Sequence, residues 1–193
     1  TAKNGHWKPG PGMDLVGVLT SWFHDLSFIA EDLGYTTPGV RALLADSGLP
    51  GMKVLQFAFD AHGESDFLPH KCTHNSVCYI GTHDNETALG WYLAQDKAGK
   101  KRIRKYLGLD KSASDSKVVR ELIRCAYASV SENCVIQMQD WLCLDNSARM
   151  NIPSTIGGGN WAWRMDKDAC TKELAKAMKK MAKTYFRKVP KGE

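Results

Sequence analysis

The sequence predicts an α/β fold in which short parallel strands alternate with covering helices. Two observations lead there. The strand-like runs are brief and apolar on both faces, as strands buried between helical layers must be. The segments between them carry apolar residues at helical spacing. Right-handed crossovers then leave two architectures, an open doubly wound sheet or a run of (β/α)-barrel units.

The elements follow in order. In "GMDLVGVLTSWFHDL" (12–26) apolar residues at 15, 18, 19, 22, 23 and 26 predict a helix. "SFIAEDLG" reads as a first strand, over 27–30, ending in two acids. "TTPGVRALLADSG" predicts a helix capped by Thr37, entered through Pro38 and terminated by Gly48. "MKVLQFAF" (52–59) is the second strand and "SVCYIG" (76–81) the third. "NETALGWYLAQ" starts a helix with Asn85 or Asp84 as cap and Glu86 near the positive end of the dipole. "KKRIRKYLGL" and "SDSKVVRELIRCAYASV" are further helices, and "CVIQMQDWL" contains a fourth strand, over 134–138. The irregular "NSARMNIPSTIGGGNWAWRM" precedes a last helix that buries Leu174, Ala177, Met178, Met181 and Tyr185. No repeat, low-complexity tract or linker divides residues 1–193, which read as a single domain.

Composition narrows the classes of function. No apolar run is long enough to span a bilayer, and "TAKNGHWKPGPG" lacks the apolar core of an export signal. The net charge of +5 gathers in 96–105 and 172–188, which read as solvated helix faces rather than a nucleic-acid surface. The six cysteines include no C-x-x-C pair and several lie in apolar runs, so they read as reduced thiols in a cytoplasmic protein. His70, Cys72, His74 and Cys78 cluster in "HKCTHNSVC", but their spacing fits no common zinc pattern. No metal and no cofactor is expected.

The stretch "YIGTHDNETALGWY" sets His83, Asp84, Asn85 and Glu86 together where a strand ends. Glu31 ends another predicted strand. Carboxylates at neighbouring strand ends suit glycosidic bond cleavage, in which a protonated acid serves the leaving oxygen and ionised groups stabilise an oxocarbenium-like transition state. The same two residues also fit plain roles as helix caps or loop ion partners.

Longer motifs carry more information. "NGHWKPGPG", "FIAEDLG", "GLPGMKVLQFAFD", "NSVCYIGTHDNETALGWY" and "ARMNIPSTIGGGNWAWRM" together resemble glycoside hydrolase family 77, the 4-α-glucanotransferases or amylomaltases, over nearly the whole chain. The resemblance implies the C-terminal half of a (β/α)8 TIM-type barrel and a retaining transfer of α-1,4-glucan segments. It implies Glu31 as general acid/base, Asp84 as transition-state stabiliser and His83 as a sugar contact. Trp7, Trp161 and Trp163 become candidate stacking surfaces for glucose rings, with core aromatics under the Gly-rich loop as the alternative. Asn151 and Asn160 become candidate substrate-binding residues.

The sequence departs from the family's pattern in places. "HDNE" stands where the family usually has "HDND". The family's nucleophile, in an R-x-D-H strand end upstream of "NGRW", has no counterpart, and Arg164-Met165-Asp166 stands in the wrong order and context to replace it. The expectation is therefore little or no turnover by these residues alone, with the open barrel edges at 27–30 and 134–138 inviting self-association. The alternatives are a non-catalytic glucan-binding half-barrel and an α-glucan hydrolase.

Overall fold

A computed structural model describes residues 2–6, 8–34, 36–60 and 65–187. The chain divides into two compact units, residues 1–52 and 53–193.

In the first unit, α1 (Met13–Trp22) packs against α2 (Pro38–Ser47). The predicted start and stop of α2 hold. The Thr37 side chain accepts from the Val40 N–H at 3.3 Å, Pro38 enters the first turn, and Gly48 ends the helix at φ 66°. Helix α1 ends at Trp22, four residues short of the predicted 12–26, and buries none of its residues. Leu15, Val18, Trp22, Phe23 and Leu26 all lie exposed.

Residues 27–30 are not a strand, contrary to the sequence reading. The Ala30 N–H donates to the Pro50 carbonyl at 2.9 Å, but the next contact is made by a side chain, Asp32 Oδ1 accepting from the Met52 N–H at 2.7 Å. A carboxylate has taken the place of the backbone carbonyl that a ladder would use, so no regular pairing forms.

The second unit is built on a three-stranded sheet in the order β1-β2-β3, comprising β1 (Gly51–Val54, which begins in the first unit), β2 (Ser76–Tyr79) and β3 (Asn133–Val135). β2 and β3 run parallel, with Val77 opposite Asn133 and Tyr79 opposite Val135. Three strand ends move from the sequence reading, the first being that of 76–81, which stops at Tyr79. The predicted strand 52–59 turns into α3 (Leu55–Asp60) after Val54, where the Gln56 N–H reaches the Ile80 carbonyl at 3.1 Å. The predicted strand 134–138 stops at Val135, and α7 (Met138–Trp141) follows. Apart from Lys53, Gln56 and Gln137 both runs are apolar, and in such runs periodicity cannot separate a buried strand from a buried helical turn.

Helices α4 (Ala88–Ala94), α5 (Lys97–Tyr106) and α6 (Asp115–Tyr127) cover the sheet. The core joins Leu55, Phe59, Ile80, Tyr92, Ile103 and Leu122, each almost fully removed from water. Each large apolar side chain so buried stabilises the unit by roughly 1.5–3 kcal/mol. On α6, Val118, Val119, Leu122, Ile123 and Ala126 form the buried stripe, at helical spacing. Helix α8 (Lys172–Thr184) lies against α6 but is shallower than predicted. Leu174, Met178, Met181 and Tyr185 are only half-buried and Ala177 is exposed. All six cysteines are free thiols, and Cys72 and Cys78 are buried.

Candidate active site

Where β2 ends, the chain makes a tight turn over residues 82–85, with the Asn85 N–H donating to the Thr82 carbonyl at 3.1 Å. The predicted capping role of Asn85 and Asp84 is taken by Thr87, whose hydroxyl accepts from the Gly90 N–H at 3.1 Å. Asn85 is occupied instead with the turn. Its Oδ1 accepts from both the N–H and the hydroxyl of Thr82, at 2.8 and 2.9 Å. An Asn that closes its own turn leaves the first free helix donors to the next hydroxyl in sequence.

Two amides from neighbouring segments fix the turn's backbone. Gln137, between β3 and α7, donates from Nε2 to the carbonyls of Gly81 and Thr82 at 2.9 and 2.7 Å. Gln56, in the first turn of α3 just past β1, donates to the Glu86 carbonyl at 2.8 Å. The loop thus stands on the ends of its neighbouring strands, which gives a rigid base to the side chains above it.

Those side chains are His83 and Asp84, both about half exposed. Asp84 Oδ1 accepts from Asn151 Nδ2 at 2.6 Å and lies 3.3 Å from His83 Nε2. No hydrogen bond among the described residues falls on Oδ2. The segment 149–151 is clamped to the turn from the other side. Arg149 donates to the Asp84 carbonyl at 2.7 Å and to the Asn151 carbonyl at 2.8 Å, and the Asn151 N–H donates to the His83 carbonyl at 3.1 Å. Trp161 sits beside His83, with ring centres 5.1 Å apart and planes tilted by 37°. It is 60% exposed, and its backbone is held at φ 62° while its N–H donates to the Met150 carbonyl. A half-exposed carboxylate with one oxygen anchored, next to a histidine that itself lies beside an exposed indole, is equipped to hold a polar ligand that also has an apolar face.

Next to this group lies a hollow of about 380 Å³, lined by His83, Gln137, Met150 and Trp163 among others. Trp163 is half-buried there. Asn160 serves the loop itself. Its Oδ1 accepts from the Ile152 N–H at 3.1 Å and its Nδ2 donates to the Thr155 hydroxyl at 2.8 Å. Trp7 lies outside the described residues. Glu31 belongs to the first unit, exposed in the loop after Ala30 and free of hydrogen bonds and ion pairs among the described residues.

The structure therefore joins His83, Asp84, Asn151 and Trp161 in one group. It adds three residues that the sequence reading did not single out, Arg149, Gln137 and Gln56. A signal for each exists. Arg149 and Asn151 alternate in "ARMN", and Gln56 and Gln137 are amides inside otherwise apolar runs, where a polar group needs a partner. Below the site, buried Asp140 accepts the Ala88 N–H at 2.7 Å and so anchors the start of α4. Burial pushes its carboxyl up to about 6, against the Ala88 N–H, which pulls it down. Among the described residues no group of three or more His, Cys, Asp or Glu side chains is placed to hold a metal ion.

A glycoside hydrolase family 77 model, described as 4-alpha-glucanotransferase, matches residues 1–170. The chain is 42% identical over 188 residues to a 4-alpha-glucanotransferase of Streptococcus pneumoniae serotype 4, covering 97% of this chain and 36% of that protein. It is 38% identical over 191 residues to one from Synechocystis, covering 98% and 37%. An amylomaltase from Streptococcus agalactiae, solved in complex with acarbose, superposes with a TM-score of 0.87 at 37% identity, over 96% of this chain and 37% of that one. The chain thus spans little more than a third of the length of these relatives.

Proposed function

The chain belongs to glycoside hydrolase family 77, the 4-alpha-glucanotransferases, and from that premise we propose that its residues serve a retaining transfer of α-1,4-glucan segments to glucose or glucan acceptors. The observation that carries the reading furthest is the Asp84 group. One carboxylate oxygen is anchored by Asn151, the other accepts no hydrogen bond among the described residues, and the neighbouring His83 lies beside the exposed Trp161 indole. In the proposed mechanism Glu31 protonates the leaving glycosidic oxygen and later takes a proton from the acceptor hydroxyl. Asp84 grips hydroxyls of the sugar at the cleaved bond and stabilises its positive charge, with His83 on the same ring. Asn151 fixes the carboxylate, and Trp161 offers a face to the apolar side of a glucose. Asn160 shapes the loop that carries Trp161.

The architecture we propose is the C-terminal half of a (β/α)8 barrel, supported by the parallel β2–β3 pair and by the gathering of polar residues at a strand's carboxyl end. A retaining transfer also needs a carboxylate nucleophile, which we assign to the part of the relatives' length that these residues do not cover. The exposed apolar face of α1 supports self-association, and the free thiols support a cytoplasmic location.

The test is disproportionation of maltotriose by a protein of the relatives' full length that carries these residues. Glu31→Gln is expected to lower transfer by several orders of magnitude. Near-normal turnover in that variant would remove Glu31 from the mechanism. Release of glucose and maltose without longer products would replace transfer with hydrolysis.

A further inference from the structure

Helix α5 and the loop after it enclose a groove of about 850 Å³ on the second unit. Lys97, Lys100, Lys101, Arg104, Lys105 and Lys111 line it, and Asp110 is the one carboxylate lining it among the described residues. Asp110 is already engaged, accepting from the N–H and the hydroxyl of Ser112 at 2.8 and 2.6 Å.

Two of the cations are fixed. Lys100 Nζ donates to the Leu93 carbonyl at 2.9 Å and lies 5.7 Å from the centre of the Tyr92 ring. Arg104 donates to the carbonyls of Lys111 and Ala113 at 2.7 and 3.1 Å and pairs loosely with Asp115 at 3.5 Å, while its buried Nε has no partner. Lys97, Lys101, Lys105 and Lys111 form no ion pair among the described residues.

This differs from an ordinary solvated helix face. Lys97, Lys101 and Lys105 repeat at i, i+4, as do Lys100 and Arg104, and like charges at that spacing destabilise a helix. Helix α6 does the opposite, pairing Lys117 and Arg124 with Glu121. Arg104 is partly offset by Asp115, but no ion pair among the described residues relieves the row Lys97, Lys101 and Lys105, and an anion in the groove would relieve it. Several ammonium groups around two anchored cations suit linked phosphates better than a single anion, and the volume suits a compact ligand.

We propose that the α5 groove binds a small ligand bearing two or more linked phosphates, whether inorganic polyphosphate or the tail of a nucleoside polyphosphate. This is independent of the glucan reading and involves none of its residues.

The test is calorimetric titration of the protein with inorganic tripolyphosphate near 0.15 M salt, beside Lys101→Gln/Lys105→Gln. The expected result is saturable binding at one site, weakened about 10-fold or more in the double variant, since each lost charge removes a short-range attraction that salt only partly screens. Without anion, the variant is expected to melt at an equal or higher temperature than the parent, because repulsion has been removed. A parallel titration with a nucleoside triphosphate separates the sources. Tighter binding than tripolyphosphate assigns the site to nucleotides, and equal binding assigns it to the phosphates alone. Absence of saturable binding, equal affinity in the variant, a lower melting temperature for the variant, or affinity that grows with oligonucleotide length would each overturn the proposal.

Discussion

Asn151 donates from Nδ2 to Asp84 Oδ1 at 2.6 Å, across 67 residues of chain. The contact is reinforced by the backbone, because the Asn151 N–H also holds the His83 carbonyl at 3.1 Å. The amide therefore sets the direction of a half-exposed carboxylate that would otherwise rotate in solvent.

Replacing Asn151 by Ala is expected to lower transfer by a full-length protein about 10- to 100-fold, the range of one hydrogen bond to a charged group. The backbone bond to His83 survives the change, so the melting temperature should move little. The loss should fall mainly on kcat, because a misdirected Asp84 fails most where charge develops. Kinetics of Asn151→Ala beside Asp84→Asn check this, and a pure KM effect in both would count against Asp84 as the stabiliser.

Trp161 offers a test in which stability and function part. Its φ of 62° is a left-handed conformation that costs a bulky residue about 1–2 kcal/mol. Trp161→Gly relieves that strain and removes the ring beside His83. The expected outcome is unchanged or higher thermal stability with weaker malto-oligosaccharide binding. Trp161→Phe keeps the strain and part of the ring, so it should retain more binding than Gly and gain no stability. Equal binding by all three proteins would take Trp161 out of the sugar path.

Much of the scaffold was legible in the residues because local chemistry fixed it. Thr37, Pro38 and Gly48 bracket α2 with short-range bonds that need no tertiary context. The apolar stripe of α6 states its buried face directly. Failures came where distant partners decide. Residues 27–30 look like a strand, but Asp32 captures the Met52 N–H in place of a ladder. Thr87 outcompetes Asp84 as the helix cap because Asn85 and Thr82 have already closed the turn. In the site, His83 and Asp84 stood out as adjacent polar groups at a strand end. Arg149 and Gln137 act through backbone carbonyls, so the sequence shows them as polar residues among apolar ones without showing their partners.

Asp140 predicts a pH dependence. Burial raises its carboxyl to about 6, above its unfolded value, so the folded state binds the proton more tightly than the unfolded chain. Its contribution to stability is therefore greatest below about pH 4 and declines as pH rises to about 6, where the buried group takes on its charge. The loss at neutral pH is on the order of 3 kcal/mol. Asp140→Asn keeps an oxygen for the Ala88 N–H and removes the charge, so it should raise stability at pH 7 and flatten the profile between pH 4 and 6. Asp140→Ala leaves that N–H unpaired and should cost about 1–3 kcal/mol relative to Asp140→Asn. Thermal melts of the parent and the two variants across this range decide it. Parallel profiles for the parent and Asp140→Asn would show that another group is titrating.

Gly81 tests whether the glutamine brace holds the site in shape. A Cβ at this position would lie 2.7 Å from Gln56 Nε2 and 3.0 Å from Asn85 Cβ. Those are the residues that hold the Glu86 carbonyl and close the turn before it. Gly81→Ala is therefore expected to destabilise the protein by about 1–3 kcal/mol, as overpacking does. It should also weaken malto-oligosaccharide binding, because His83 and Asp84 ride on the displaced turn. The clash has one movable partner, Gln56. Gln56→Ala alone loses the bond to Glu86, but in the Gly81→Ala background it also makes room for the methyl group. The double variant should then lose less stability than the two single losses added together, by about 1 kcal/mol. Simple additivity in denaturant melts would mean that the methyl group is accommodated elsewhere and that the Gln56 amide does not set the turn.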